Sequence, residues 1–164
     1  MRKSEVDKIL SYDQITGIFK WKVNVSGIAQ VGDIAGSKTS EGYTVIQIKG
    51  RKYKAHRLAF LIIKGYMPKF VDHKDTDRSN TAWHNLRECT KSQNQHNSKT
   101  PSNNTSGVKG LTFNKSTNKW VARISVNGKS KYLGQFSDTT LAEAALSKAR
   151  AEFHGAFANN GGPN

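Results

Sequence analysis

The chain has 164 residues, of which 35% are hydrophobic, and its 26 Lys plus Arg against 12 Asp plus Glu give a net charge of +14. So few apolar residues exclude one large buried core and fit two small ones. The charge is interleaved with aromatics rather than gathered in a tail, which excludes a disordered basic arm and points to a folded surface for a polyanion, nucleic acid first.

A single cysteine, Cys89, excludes an internal disulfide and a thiolate zinc cluster, and reads as buried and inert. The longest apolar run, LAFLII at 58–63, is too short to span a membrane, and no secretory segment is recognisable. The protein is therefore expected inside the cell, with no membrane partner.

In chain order, residues 5–10 predict one or two helical turns. Thr16-Gly17 predicts a turn and IFKWKV (18–23) a short strand. Residues 25–42 are rich in Gly and Ser and read mostly as loop. The β-branched alternation at 43–48 predicts a strand, turned back at 49–51 into a second one at 52–54. Residues 56–64 predict a helix stopped by Gly65. Within RKYKAHRLAF (51–60), Lys52 and Arg57 are candidate phosphate contacts. His56 in the same run either packs under the helix or points at DNA.

Residues 72–97 read DHKDTDRSNTAWHNLRECTKSQNQHN, with three histidines, four asparagines and three aspartates. Hydrolysing a phosphodiester needs a base, a cation to neutralise developing charge, and a group that orients the base. His73 can be the base. Asp72 and Asn94 are oxygen ligands suited to Mg²⁺, which takes few protein ligands. Asn85 can hydrogen-bond the histidine or the carbonyl beside it. Asp72 and His73 can serve one site only if their strand ends or bends there, and the polar run that follows predicts an end. Residues 86–89 predict the returning strand, and a short helix from 91 presents Asn94. The more ordinary readings give Asp75 and Asp77 to loop shaping, Asn80 to a turn, and His84 and His96 to solvent or phosphate. Trp21, Trp83 and Trp120 read as core.

SKTPSNNTSG (98–107) reads as a linker. Beyond it, 108–113 predicts a strand. Residues 119–126 put Trp120, Ala122, Ile124 and Val126 on one face and Val121, Arg123 and Ser125 on the other. Asn127-Gly128 predicts a hairpin into 129–136. Thr140 to Glu143 has the pattern of a capping box, and Leu141, Ala145, Ala149 and Phe153 predict a helical stripe ended by Gly155. The helix covers one face of the sheet, and the other carries Arg123, Ser125 and Tyr132.

Val71-Asp72-His73, the WHNLR run (83–87) and the SQNQHN run (92–97) resemble phage-type HNH homing endonucleases. The resemblance implies a ββα-metal site with His73 as general base, Asn85 as its orienting partner, and Asp72 with Asn94 holding one Mg²⁺ or Mn²⁺ ion. The runs SGVKGLTFNKSTNKWVARI, KYLGQF and EAALSKARAEFHG resemble the APETALA2/ethylene-response-factor DNA-binding domain. That resemblance implies DNA contact through Arg123, Ser125 and Tyr132, with Lys109 and Lys115 nearby. The expected fold is α+β: an HNH nuclease domain over 1–98 with its ββα core at about 68–98, a linker at 99–106, and over 107–160 a three-stranded antiparallel sheet packed on one helix. The expected activity is metal-dependent cleavage of double-stranded DNA by a monomer. The rival is a catalytically silent DNA-binding protein that keeps the ββα element as a docking scaffold; retention of all four site residues speaks for the enzyme.

Overall fold

The computed structural model describes residues 1–161 except 26, 28 and 102, so those three positions of the expected loop and linker lie outside the described residues. The fold is α+β and divides into two compact units, Met1–Cys89 and Thr90–Asn164. The division falls ahead of the expected linker. It leaves the short helix that carries Asn94 in the second unit.

The first unit opens with helix α1 (Lys3–Ile9), which runs directly into strand β1 (Leu10–Tyr12) paired antiparallel with β2 (Phe19–Trp21). A three-stranded sheet follows in the order β3 (Ser37–Lys38), β4 (Thr44–Ile48), β5 (Arg51–Lys54). Helix α2 (Ala55–Lys64) then stops at Gly65, whose left-handed φ of 84° is the expected glycine C-cap. The last hairpin pairs β6 (Val71–His73) with β7 (Leu86–Glu88), with a 3-10 turn at Trp83–Asn85 before β7. The core gathers Val6, Leu10, Phe19, Trp21, Ile46 and Leu58 around α2. Strand β1 was not expected, because LSY is too short to show an alternation.

One close approach fixes the loop ahead of Asn85. Gly17 has φ +76°, and a Cβ there would collide with the backbone of Thr81 and Ala82. The two segments are laced together by bonds from Tyr12 Oη to the Thr81 carbonyl (2.7 Å), from Thr81 Oγ1 to the Gly17 carbonyl (2.7 Å), and from Trp83 N–H to the Gln14 carbonyl (2.9 Å).

The second unit begins with helix α3 (Lys91–His96), whose N-cap Thr90 and Gln93 form a capping box. Strands β8 (Leu111–Asn114), β9 (Lys119–Val126) and β10 (Lys129–Phe136) form an antiparallel sheet in the order β10-β9-β8, packed on helix α4 (Thr139–His154). Asn127 and Gly128 take φ of 51° and 78°, as a two-residue hairpin turn requires. Leu111, Ala122, Ala142 and Leu146 are the buried centre. Two expectations for α4 are corrected. Leu141 is 55% exposed, and the inward stripe is Ala142, Leu146 and Ala149, because spacings of three and four must mix to follow a 3.6-residue turn. The cap is Asp138, which accepts the Leu141 N–H at 2.9 Å, two residues before the expected Thr140. No helix among the described residues is long and apolar enough to cross a membrane.

Candidate active site and nucleic-acid surface

β6 ends at His73, as the polar run after it predicts. Val71, Asp72 and His73 are all buried. Consecutive residues of a strand point to opposite faces, and the two polar side chains meet different neighbours. Asp72 lies directly across from Arg87 in the β6–β7 register. Its Oδ2 takes the guanidinium in a two-pronged contact, 2.6 Å from Nη2 and 2.7 Å from Nε. The His73 ring lies edge-on to His56 at 4.9 Å and tilted to Tyr43 at 6.1 Å. Burial holds the His73 imidazole below its ordinary pKa, against the pull of Asp75 and Asp72. His56, also buried, is driven down to about 3, mainly by burial and then by His73. It therefore packs inside the fold, which resolves the choice left by the sequence. Tyr43 is itself flanked by cations, with Lys54 Nζ 3.7 Å and the Arg78 guanidinium 5.1 Å from its ring centre.

Asn85 is buried and organises the loop between the strands. Its Nδ2 donates to Asp75 Oδ1 and to the Asn80 carbonyl, both at 2.9 Å, while its Oδ1 accepts the Asp75 N–H at 3.1 Å. These bonds replace the expected one to the histidine or to its neighbouring carbonyl; the His73 carbonyl accepts from Thr76 N–H. Asp75 also accepts from Asp77 N–H and Asn80 Nδ2, and Asp77 from Ser79, so both aspartates shape the loop. His84 is exposed, and Trp83 packs on the core with its ring 4.8 Å from Phe60. Cys89 is half-buried, its thiol pushed up to about 11 by burial and by Asp72.

Asn94 is half-buried on α3 in the second unit. His96, on the same helix, is not simply solvated: it stacks on His154 with ring centres 3.6 Å apart. Among the described residues no three His, Cys, Asp or Glu side chains gather as a metal cluster. A carboxylate such as that of Asp72 and an amide such as that of Asn94 are each oxygen donors suited to a hard ion that keeps most of its water, and unsuited to four-ligand zinc.

Of the expected DNA contacts, Arg123 and Tyr132 lie opposite each other on β9 and β10, both exposed, with Ser125 exposed further along β9. Lys115, exposed in the turn after β8, shares with Arg123 a groove of about 380 Å³. Lys52 is exposed on β5, while Arg57 is half-buried on α2 and its Nε is buried without a hydrogen-bond partner among the described residues. Lys109 departs from expectation. Its ammonium turns inward, donating to the carbonyls of His96 and Ser98 (2.9 Å each), and burial lowers it to about 8.

Two features near the site were not singled out in the sequence, Arg87 and the contact of the Tyr43 ring with that of His56, their centres 5.5 Å apart. A signal existed for the first. Pairing the Asp72-His73 strand with the Leu86-Arg87 strand sets an acid against a base. For the second there was none, because the contact joins segments thirteen residues apart through the fold.

Residues 53–96 match the HNH endonuclease family. The chain is similar to Protein 3.8 of Escherichia phage T7, 38% identical over 99 residues, which are 59% of this chain and 77% of that protein. It also has a distant likeness to the HNH homing endonuclease I-HmuI, at 21% identity and a TM-score of 0.43 over 89% of this chain and 85% of that one. The family segment runs unbroken from β5 to α3 and contains all four expected site residues. The chain belongs to the HNH endonuclease family, whose members are phosphodiester hydrolases that typically use a divalent metal.

Proposed function

We propose that the chain is a divalent-metal-dependent endonuclease that hydrolyses phosphodiester bonds of double-stranded DNA, acting as a monomer. His73 takes the proton from the attacking water. Asp72 and Asn94 would hold one Mg²⁺ or Mn²⁺ ion, which when bound neutralises charge on the phosphate and on the 3′-oxygen leaving group. Arg87 fixes the Asp72 carboxylate in one orientation. Asn85 serves His73 by holding the loop beside it, rather than by touching the ring. The products carry 5′-phosphate and 3′-hydroxyl ends. The exposed sheet face with Arg123, Ser125 and Tyr132, together with Lys115, grips DNA, and Lys52 and Arg57 add contacts from the first unit. Lys109 is withdrawn from that set by its own bonds.

What supports this reading is the pair of consecutive buried polar residues, Asp72 and His73, closing a strand inside the family segment. The test is incubation of a long duplex with the protein and Mg²⁺, with and without chelator. Cleavage is expected only with the ion. His73→Ala should cut about a hundredfold slower or worse, while binding DNA within a few-fold of wild type, because a base acts in the transition state. A wild-type protein that binds the duplex and leaves it intact with both Mg²⁺ and Mn²⁺ would support the silent docking protein instead.

A further inference from the structure

α3 is six residues long and buries none of them fully. Six residues are well short of what an isolated helix needs in water. Its capping box satisfies the N-terminal end only, so its C-terminal half must be held by something else.

That something is the remainder of the second unit. Lys109 Nζ reaches the carbonyls of His96 and Ser98 at 2.9 Å each and that of Gln95 at 3.4 Å, with Ser98 Oγ at 3.1 Å. A cation at this end complements both the orphan carbonyls and the helix dipole. Asn159 Nδ2 donates to the Asn97 carbonyl at 3.0 Å and to its side-chain oxygen at 3.2 Å. His154 stacks on His96, and its Nε2 lies 2.8 Å from the Ser125 carbonyl of β9. Lys109 is tied in turn to α4, because buried Arg150 donates to its carbonyl. Three separate links therefore join α3 to the sheet and helix of the second unit.

We infer that Lys109, with His154 and Asn159, is a positioning residue for Asn94: the sheet and long helix of the second unit fix the short helix that carries this residue. This rests on the reading of Asn94 as a metal ligand. The second unit thus has two duties, gripping DNA with one sheet face and docking part of the nuclease motif with its Lys109 and α4 side. Lys109, expected to meet phosphate, has the second duty.

The test uses the full chain as wild type, Lys109→Met, Lys109→Arg and His154→Ala, with exposed Lys148→Met as a control of equal charge change. Hydrogen exchange of amides 91–98 is measured without metal, and Mn²⁺ affinity from the paramagnetic resonance of the unbound ion. Lys109→Met and His154→Ala should lose protection at 91–98 while the β8–β10 amides keep theirs. Their Mn²⁺ affinity should fall about tenfold, the usual effect of removing a group that orients a ligand. Lys109→Arg should recover most of both, and Lys148→Met should match wild type. Protection and Mn²⁺ affinity unchanged in Lys109→Met would overturn the inference. If the wild type itself binds no Mn²⁺, the role given to Asn94 fails, and the exchange data still decide whether Lys109 docks the helix.

Discussion

Asp72 and Arg87 show how one register position can set the character of a site. The carboxylate is 4% exposed and would be costly to bury without the guanidinium across the strand pair. The neighbouring histidines follow a different logic, since both are kept neutral by burial. That has a consequence for stability. A histidine whose pKa is lowered on folding binds fewer protons in the native state than in the unfolded one, so stability falls as pH falls. For His56 the loss begins as pH drops through the ordinary value of 6.5 and continues down to about 3. Within that window each pH unit costs up to about 1.4 kcal/mol from this residue. Urea unfolding at several pH values should therefore give a slope below pH 6.5 that His56→Phe flattens, while above pH 7 the two proteins should show the same pH dependence. An equal slope in the variant would place the acid sensitivity elsewhere.

At the scale of elements, the β6–β7 hairpin is positioned less by its own three-residue strands than by the lacing of residues 12–17 to 81–83. Gly17 is the tightest point of that lacing. Gly17→Ala adds a Cβ in a left-handed conformation and drives it against backbone, which should cost about 2 kcal/mol or more. The chemical denaturation midpoint should drop accordingly, and the loop holding Asn85 should be the first to gain proteolytic sensitivity. A midpoint unchanged from wild type would show that the two segments can separate freely. This lacing was not legible in the sequence, where Thr16-Gly17 reads only as a turn, because its partner lies 64 residues away. Local signals carried further. Gly65 ended α2 and Asn127-Gly128 made the hairpin as expected, and alternation along β9 separated Arg123 from Ala122 and Ile124. A stripe of strict fours drifts around a helix, so α4 buries Ala142 and Leu146 in place of Leu141 and Ala145. The spacing marks Asn85 as a candidate, but its bonds depend on a loop whose turns come from Asp75, Asp77 and Asn80 side chains. Lys109 misled most, since a lysine near a DNA face reads as a phosphate contact, and only the fold brings the end of α3 to it.

For the whole molecule the governing quantity is the net charge of +14. DNA affinity should fall steeply with salt, since each phosphate neutralised releases counterions. Arg123 tests how the second unit contributes. It stands exposed opposite Tyr132 and beside Lys115 on a face with few arginines, a setting that suits a phosphate contact better than a guanine edge. Arg123→Ala should weaken binding equally on preferred and random duplexes and lower the salt slope by about one unit. A loss of about 1–3 kcal/mol confined to one sequence would instead make Arg123 a base reader. Titrations of both proteins on both duplexes at several salt concentrations separate the two.

Cys89 closes the first unit, with its N–H on the Phe70 carbonyl and its thiol held up at about 11. Alkylating reagents attack the thiolate, so a thiol raised by burial and by Asp72 is labelled more slowly in the folded protein. That protection lasts only while the β6–β7 strands stay paired. The single cysteine of this chain is therefore a built-in gauge: labelling faster than that of the fully paired state reads how often the strands bearing Asp72 and His73 come apart, without any added probe.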